Sequence, residues 1–183
     1  VTASATPIDP AELFPDLEPG RNRPVERWNP SHVGEIDMRI ARDGSWHYLG
    51  SPIGRPALVR LFASILRLDP DGFCLVTPGE KQRIRVDDAP FVAVELRAAG
   101  SGPSASLSFR TNVDDVVTAG PDHPIRVVTD AESGQPSPYV MVHRGLEALI
   151  ARPVFYELAD LAVDREGVMG VWSGGTFFPL EAA

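Results

Sequence analysis

Residues 50–68 read GSPIGRPALVRLFASILRL. Pro56 suits the first position of a helix, where its missing N–H has no intrahelical partner. Leu58, Leu61, Phe62 and Ile65 follow at i, i+3, i+4 and i+7, with Arg60, Ser64 and Arg67 on the other side. That spacing predicts a helix buried along one stripe and stopped by Asp69-Pro70-Asp71-Gly72. The same dipeptide returns at Arg152-Pro153, where Phe155, Leu158, Ala159 and Ala162 form a second stripe and predict a helix over 153–163. With the dipeptides aligned, Leu58 matches Phe155, Leu61 matches Leu158 and Phe62 matches Ala159. A hairpin-like segment precedes each helix. Another follows it, FCLVTPGEKQRI (73–84) in one case and GVMGVWSGGTFFPL (167–180) in the other. The repeat predicts an internally duplicated α+β fold built on a hairpin–helix–hairpin unit.

Outward from the first helix, Ile36, Met38 and Ile40 alternate with Asp37 and Arg39, which is strand spacing. Arg42-Asp43-Gly44 makes a turn and Ser45–Leu49 returns. Beyond Asp87-Asp88-Ala89-Pro90 the texture changes to short strands at Phe91–Arg97, Ala105–Thr111, Asp115–Thr118, Ile125–Thr129 and Tyr139–His143. Gly and Pro punctuate them at the spacing of a sandwich or barrel. Leu146–Ile150 reads equally as strand or helix, and Val168–Trp172 with Thr176–Leu180 makes a last hairpin. Three parts are expected: an extended N-terminal arm over 1–27 with one helical turn near Ala11–Phe14, a small α+β domain over 28–88, and a strand-rich, barrel-like α+β domain with one main helix over 89–183.

Composition narrows the function. The 183 residues are 43% hydrophobic and 23% charged, ordinary globular fractions. A net charge of -8 argues against non-specific duplex DNA binding, which needs a basic footprint. One cysteine excludes an intrachain disulfide and any Cys-rich metal site. There is no apolar run of membrane-spanning length and no stretch of signal-peptide type, so a cytoplasmic protein is expected. Lys81 is the only lysine among 17 basic residues. Arginine in that excess reflects either codon usage or anion recognition through its bidentate fork.

The stretch WNPSHVGEIDMRIARDGSWHYLGSPIGRPALVRLFASIL (28–66) resembles a bacterial family known only as a domain of unknown function. The marks are Asp43-Gly44-x-Trp46-x-Tyr48, Gly50-Ser51-Pro52-Ile53 and Arg55-x-x-Leu58-Val59. Gly145-Leu146-Glu147-Ala148 and Arg152-Pro153-Val154-Phe155-Tyr156 extend the resemblance toward the other end. It implies a duplicated α+β core and a second half like a pleckstrin-homology barrel. It also implies ligand binding or signal transduction at a cleft between the halves, and it names no chemistry.

Residue by residue, catalytic signals are weak. Cys74 lies in the apolar run Phe73–Val76 and reads as a buried thiol. The histidines, His32, His47, His123 and His143, make no ligand pair, so no metal or cofactor is expected. The Gly-rich Ala99–Ser104 precedes a strand and lacks the lysine of a phosphate loop. Asp87-Asp88 and Asp114-Asp115 point to opposite faces if on strands. A dispersed set remains: Trp46, Tyr48, Arg55, Arg110, Thr111, Asn112, His143, Arg144 and Arg152. Arginine with aromatics suits a planar, nucleotide-like anion. Arg55 and Arg152, each ahead of a proline, are expected at equivalent places. The reading is non-catalytic binding of a small anionic, nucleotide-like ligand at the cleft between the two halves, in signalling, with a protein partner as a further possibility. The alternatives are a protein-interaction module using a sheet edge, or a small hydrolase using Asp115 and His143.

Overall fold

Met38 and Ile40 turn inward while Asp37 and Arg39 stay exposed, the alternation of a strand with one buried face. They lie on β1 (His32–Ile40). The computed structural model describes residues 9–14 and 23–181. These form two units, one of residues up to Ala41 with Ser45–Val86, the other of Arg42–Gly44 with Asp87 onward.

In the first unit β1 is followed by β2 (Trp46–Tyr48), β3 (Ser51–Pro52), α1 (Pro56–Ala63), β4 (Leu66–Asp69), β5 (Gly72–Val76) and β6 (Glu80–Val86). The strand order is β3-β2-β1-β6-β5-β4. One antiparallel meander runs outward from β1 and another runs inward to β6. The two join at a parallel β1–β6 ladder. Met38, Ile40, Trp46, Phe62, Ile65 and Leu75 are buried in the core. From the expected arm, residues 1–8 and 15–22 lie outside the described residues. The described pieces include 310 turns at Pro10–Glu12 and Val25–Arg27. Phe14 sets its edge against Phe62, with centroids 5.9 Å apart.

In the second unit β7 (Phe91–Ala99), β8 (Ser106–Thr111), β9 (Val116–Thr118), β10 (Ile125–Thr129), β11 (Pro136–His143) and β12 (Leu146–Ile150) form a sheet in the order β10-β11-β12-β7-β8-β9. From its other edge this is the same succession as the first sheet, third-second-first-sixth-fifth-fourth. The seam is again parallel, here β7 with β12. The sheet curls into a half-barrel. Register shifts at Ala93/Glu95 and Met141/His143 supply bulges, which bend and twist a strand. α2 (Arg152–Asp160) then leads to an antiparallel sheet of β13 (Val163–Arg165), β14 (Val168–Ser173) and β15 (Thr176–Pro179). Ser173 fastens it: the buried hydroxyl donates to the Ala119 carbonyl at 2.7 Å and accepts from the Leu107 N–H at 2.9 Å.

The chain is therefore a mixed α+β protein, mostly strand with two helices, and internally duplicated. Each helix lies between hairpins: α1 between β2–β3 and β4–β5, α2 between β11–β12 and β13–β14. The six-strand order carries the repeat further, and within it the helices differ. α1 links the third strand to the fourth, whereas α2 follows the sixth.

Two expectations change. Both helices are shorter than their periodicity suggests. Ser64 ends α1, its hydroxyl donating to the Leu61 carbonyl at 2.6 Å, and the chain goes straight into β4, paired with β5. α2 likewise gives way to β13. The frame of the helices also shifts by one residue. α1 buries Leu58 and Phe62, and α2 buries Val154 and Leu158. Leu61 and Phe155 are half-buried and Ala159 is exposed. Arg55 caps α1 with an extended backbone at φ -100°, whereas Arg152 is the first residue of α2, capped by Ala151. The two arginines are not at equivalent places.

Candidate functional site

Of the three candidates in the first unit, Trp46 is core. It is 2% exposed, its ring lies 6.1 Å from Phe62, and among the described residues its indole N–H has no hydrogen-bond partner. Tyr48 is half-buried on β2. Arg55 is exposed and pairs with Asp9 at 2.6 Å, which ties the start of α1 to the described N-terminal segment.

Five candidates gather at one end of the half-barrel, where β8 and β11 finish and β7 and β12 begin. Thr111 is fully buried, and its hydroxyl accepts from the N–H groups of Val113 and Asp115 at 3.3 and 3.2 Å. Asp114 takes up a left-handed φ of 66° within that loop. Asn112 accepts from the Val92 N–H at 3.0 Å and donates to the Gly44 carbonyl at 3.2 Å. Gly44 has φ +86°, and a Cβ there would meet the Asn112 amide nitrogen at 2.7 Å. Thr111 and Asn112 are thus occupied in shaping the loop. Arg110 donates to Glu95 at 2.8 Å and to Asp114 at 3.2 Å, and these carboxylates hold its pKa up.

His143 and Arg144 end β11 and open the turn to β12. Arg144 is exposed at φ 50° and Gly145 follows at φ 78°, the paired left-handed residues of a tight hairpin. The His143 ring stacks on Phe91, with centroids 6.2 Å apart and planes 14° apart. Burial pushes its pKa down, against the opposing charge of Asp115. Among the described residues neither ring nitrogen has a hydrogen-bond partner, and no hydrogen bond joins Asp115 to His143. Arg152 belongs to the opposite end of the sheet, 3.5 Å from the Gln135 amide oxygen.

Three constellations carry no sequence motif and emerge only from strand register. Around β4, Arg67 holds Asp69 through two bonds of 2.6 and 2.8 Å and donates to the carbonyls of Val25 and Trp28, each at 2.7 Å. Lys81 adds a third contact to Asp69 at 2.6 Å. These cations hold the Asp69 carboxyl down at about 2. Burial pushes the neighbouring Cys74 thiol up. In the second unit Tyr139 donates to Asp88 at 2.7 Å, Arg42 pairs with the same carboxylate at 2.7 Å, and Arg126 lies 4.4 Å over the Tyr139 ring. On the last sheet Arg165 lies over Trp172 and Phe177. Among the described residues no three His, Cys, Asp or Glu are grouped to hold a metal, and no helix is long and apolar enough to cross a membrane.

Two family models divide the chain. One, for the N-terminal domain of a domain of unknown function (DUF1285), matches residues 23–89. The other, for the C-terminal domain of a protein of unknown function (DUF1285), matches residues 90–180. The chain is similar to the crystal structure of a DUF1285 family protein from Silicibacter pomeroyi DSS-3, with 51% identity, a TM-score of 0.90 and 96% of each chain covered. It is also similar to a DUF1285 family protein from Shewanella baltica OS155, with 29% identity, a TM-score of 0.54, and 67% of this chain and 90% of that one covered. No curated protein matches the chain.

Proposed function

The chain belongs to the DUF1285 family, whose function is unknown, and on that footing we propose that it binds a small, planar, anionic molecule of nucleotide-like type without transforming it, in signalling. The site is the end of the half-barrel at His143 and Arg144. The carrying observation is the His143 ring, half-buried and stacked on Phe91, with neither nitrogen hydrogen-bonded among the described residues. With its pKa lowered by burial, this imidazole is neutral near pH 7 and offers one donor and one acceptor. A planar ligand extends the Phe91–His143 stack, and the exposed Arg144 guanidinium meets its charge. Barrel mouths are common places for such sites. Catalysis gains no comparable support: Asp115 makes no hydrogen bond to His143, and the Thr111 hydroxyl is buried and already accepts two bonds.

Calorimetric titration with purine nucleotides tests the reading. A nucleotide that binds the wild type should lose at least about tenfold in affinity in Arg144→Ala, the loss of roughly one charge-assisted contact. His143→Ala should weaken it as well, with the melting temperature retained. No saturable binding across the panel, or the same affinity in both variants, overturns the proposal.

A further inference from the structure

A concavity lies in the second unit, away from the end of the half-barrel just described. The Gly-rich turn between β7 and β8 forms one rim, and the segment from the end of α2 into β13 forms another. Its walls include Ala98, Ala99, Leu107, Leu161, Val163 and Trp172, and its volume is about 150 Å³. A cavity of that size takes one benzene-sized group. Gly100 and Gly102 shape the rim with φ of +71° and +55°, and a Cβ on Gly100 would meet the Ser104 carbonyl oxygen at 2.9 Å. Leu161 and Val163 are 44% and 45% exposed, so the wall is apolar surface left open to solvent.

A cation, Arg165, lies over the ring of Trp172, one of the residues of this wall. The ladders pair Val163 with Gly170, Arg165 with Val168 and Trp172 with Phe177, which puts Val163, Arg165, Trp172 and Phe177 on one face of the last sheet. Gly170 leaves room for the Phe177 ring, since a Cβ there would meet it at 2.5 Å. The Arg165 guanidinium rests 4.9 Å from the centre of the Trp172 ring and 5.5 Å from that of Phe177. Among the described residues no carboxylate pairs with it. A guanidinium over an aromatic ring still has N–H donors to offer a bidentate acceptor.

We infer that this groove binds a small free carboxylic acid with an apolar ring or short chain, the apolar body against Leu161, Val163 and Trp172 and the carboxylate on Arg165. The volume suits one ring and is too small for a partner's helix. Arg165, with no carboxylate partner among the described residues, selects the anionic end, because a neutral isostere leaves its charge without a counter-charge.

Titration of the full chain with 3-phenylpropionate and with its neutral amide, 3-phenylpropanamide, tests this. The acid should bind saturably, and the amide at least about tenfold more weakly. Arg165→Gln should abolish that preference, and Leu161→Asp should weaken both ligands. His143→Ala should change neither, since the groove is separate from the end of the half-barrel. Equal affinity for acid and amide in the wild type overturns the inference without requiring any variant to fold. So does a preference that survives Arg165→Gln, a loss caused by His143→Ala, or the lack of saturable binding.

Discussion

Asp69 accepts two hydrogen bonds from Arg67 and one contact from Lys81, and it takes up its proton only at about pH 2. In an unfolded chain an aspartate does so near pH ~3.9. The folded state thus binds fewer protons between those values. The stability this carboxylate contributes is complete above about pH 4 and is lost as pH falls through about 2. Urea denaturation from pH 5 down to pH 2 should show a steeper fall in the wild type than in Asp69→Asn. The variant should already be weaker at pH 7, by on the order of 2 kcal/mol. Parallel pH profiles would show that Asp69 is not the group responsible. This cluster was not legible in the sequence, where Arg67 reads as the outer face of a helix and Lys81 only as a solitary lysine. Its members meet because β4 and β6 both pair with β5.

Elements that follow a helix at once are where periodicity misleads. Ile65 completes the apolar stripe expected of α1, yet Ser64 turns the chain and Leu66 pairs with Leu75. Val163, the last residue of the helix expected over 153–163, instead opens β13, opposite Gly170. In both, ladder bonds available only in the folded sheet outweigh a helical pattern that local spacing supports equally well. Strands punctuated by Gly and Pro were legible, Ile125–Thr129 to the residue. Among the candidate residues, His143 was placed from sequence at the end of its strand. The stack on Phe91 was not, because it depends on which strands become neighbours. Ser173 is a second such case, an ordinary hairpin serine that holds the last sheet to the half-barrel. Ser173→Ala leaves the Leu107 N–H and the Ala119 carbonyl buried without that partner and should cost about 1–3 kcal/mol in denaturant melts. A change under about 0.5 kcal/mol would mean that these groups find other partners.

Across the molecule, the duplication was expected from the sequence, but the Arg-Pro dipeptides that suggested it open helices at different places in the repeated strand order. Its deeper form, one six-strand order used twice, was not legible, because strand order is set by pairings between distant segments. Those pairings also set local stability. The central strands β7, β11 and β12 carry Phe91, Ala93, Val140 and Ala148, all fully buried, whereas the three residues of β13 are exposed. Amide hydrogen exchange followed by mass spectrometry should therefore show the slowest exchange in peptides covering 91–93 and 139–150, and fast exchange over 163–165. Comparable rates in the two regions would mean that the half-barrel opens as readily as the last sheet. The parallel seams bear on how the protein is made. On the ribosome β1 emerges long before β6, so its inner edge stays bare while the whole intervening stretch is translated, and closing that span costs entropy before any ladder bond repays it. β7 then waits in the same way for β12. Because both halves use one strand order, each nascent half presents the other with the kind of partner it is itself awaiting, a built-in opportunity for mispairing during synthesis.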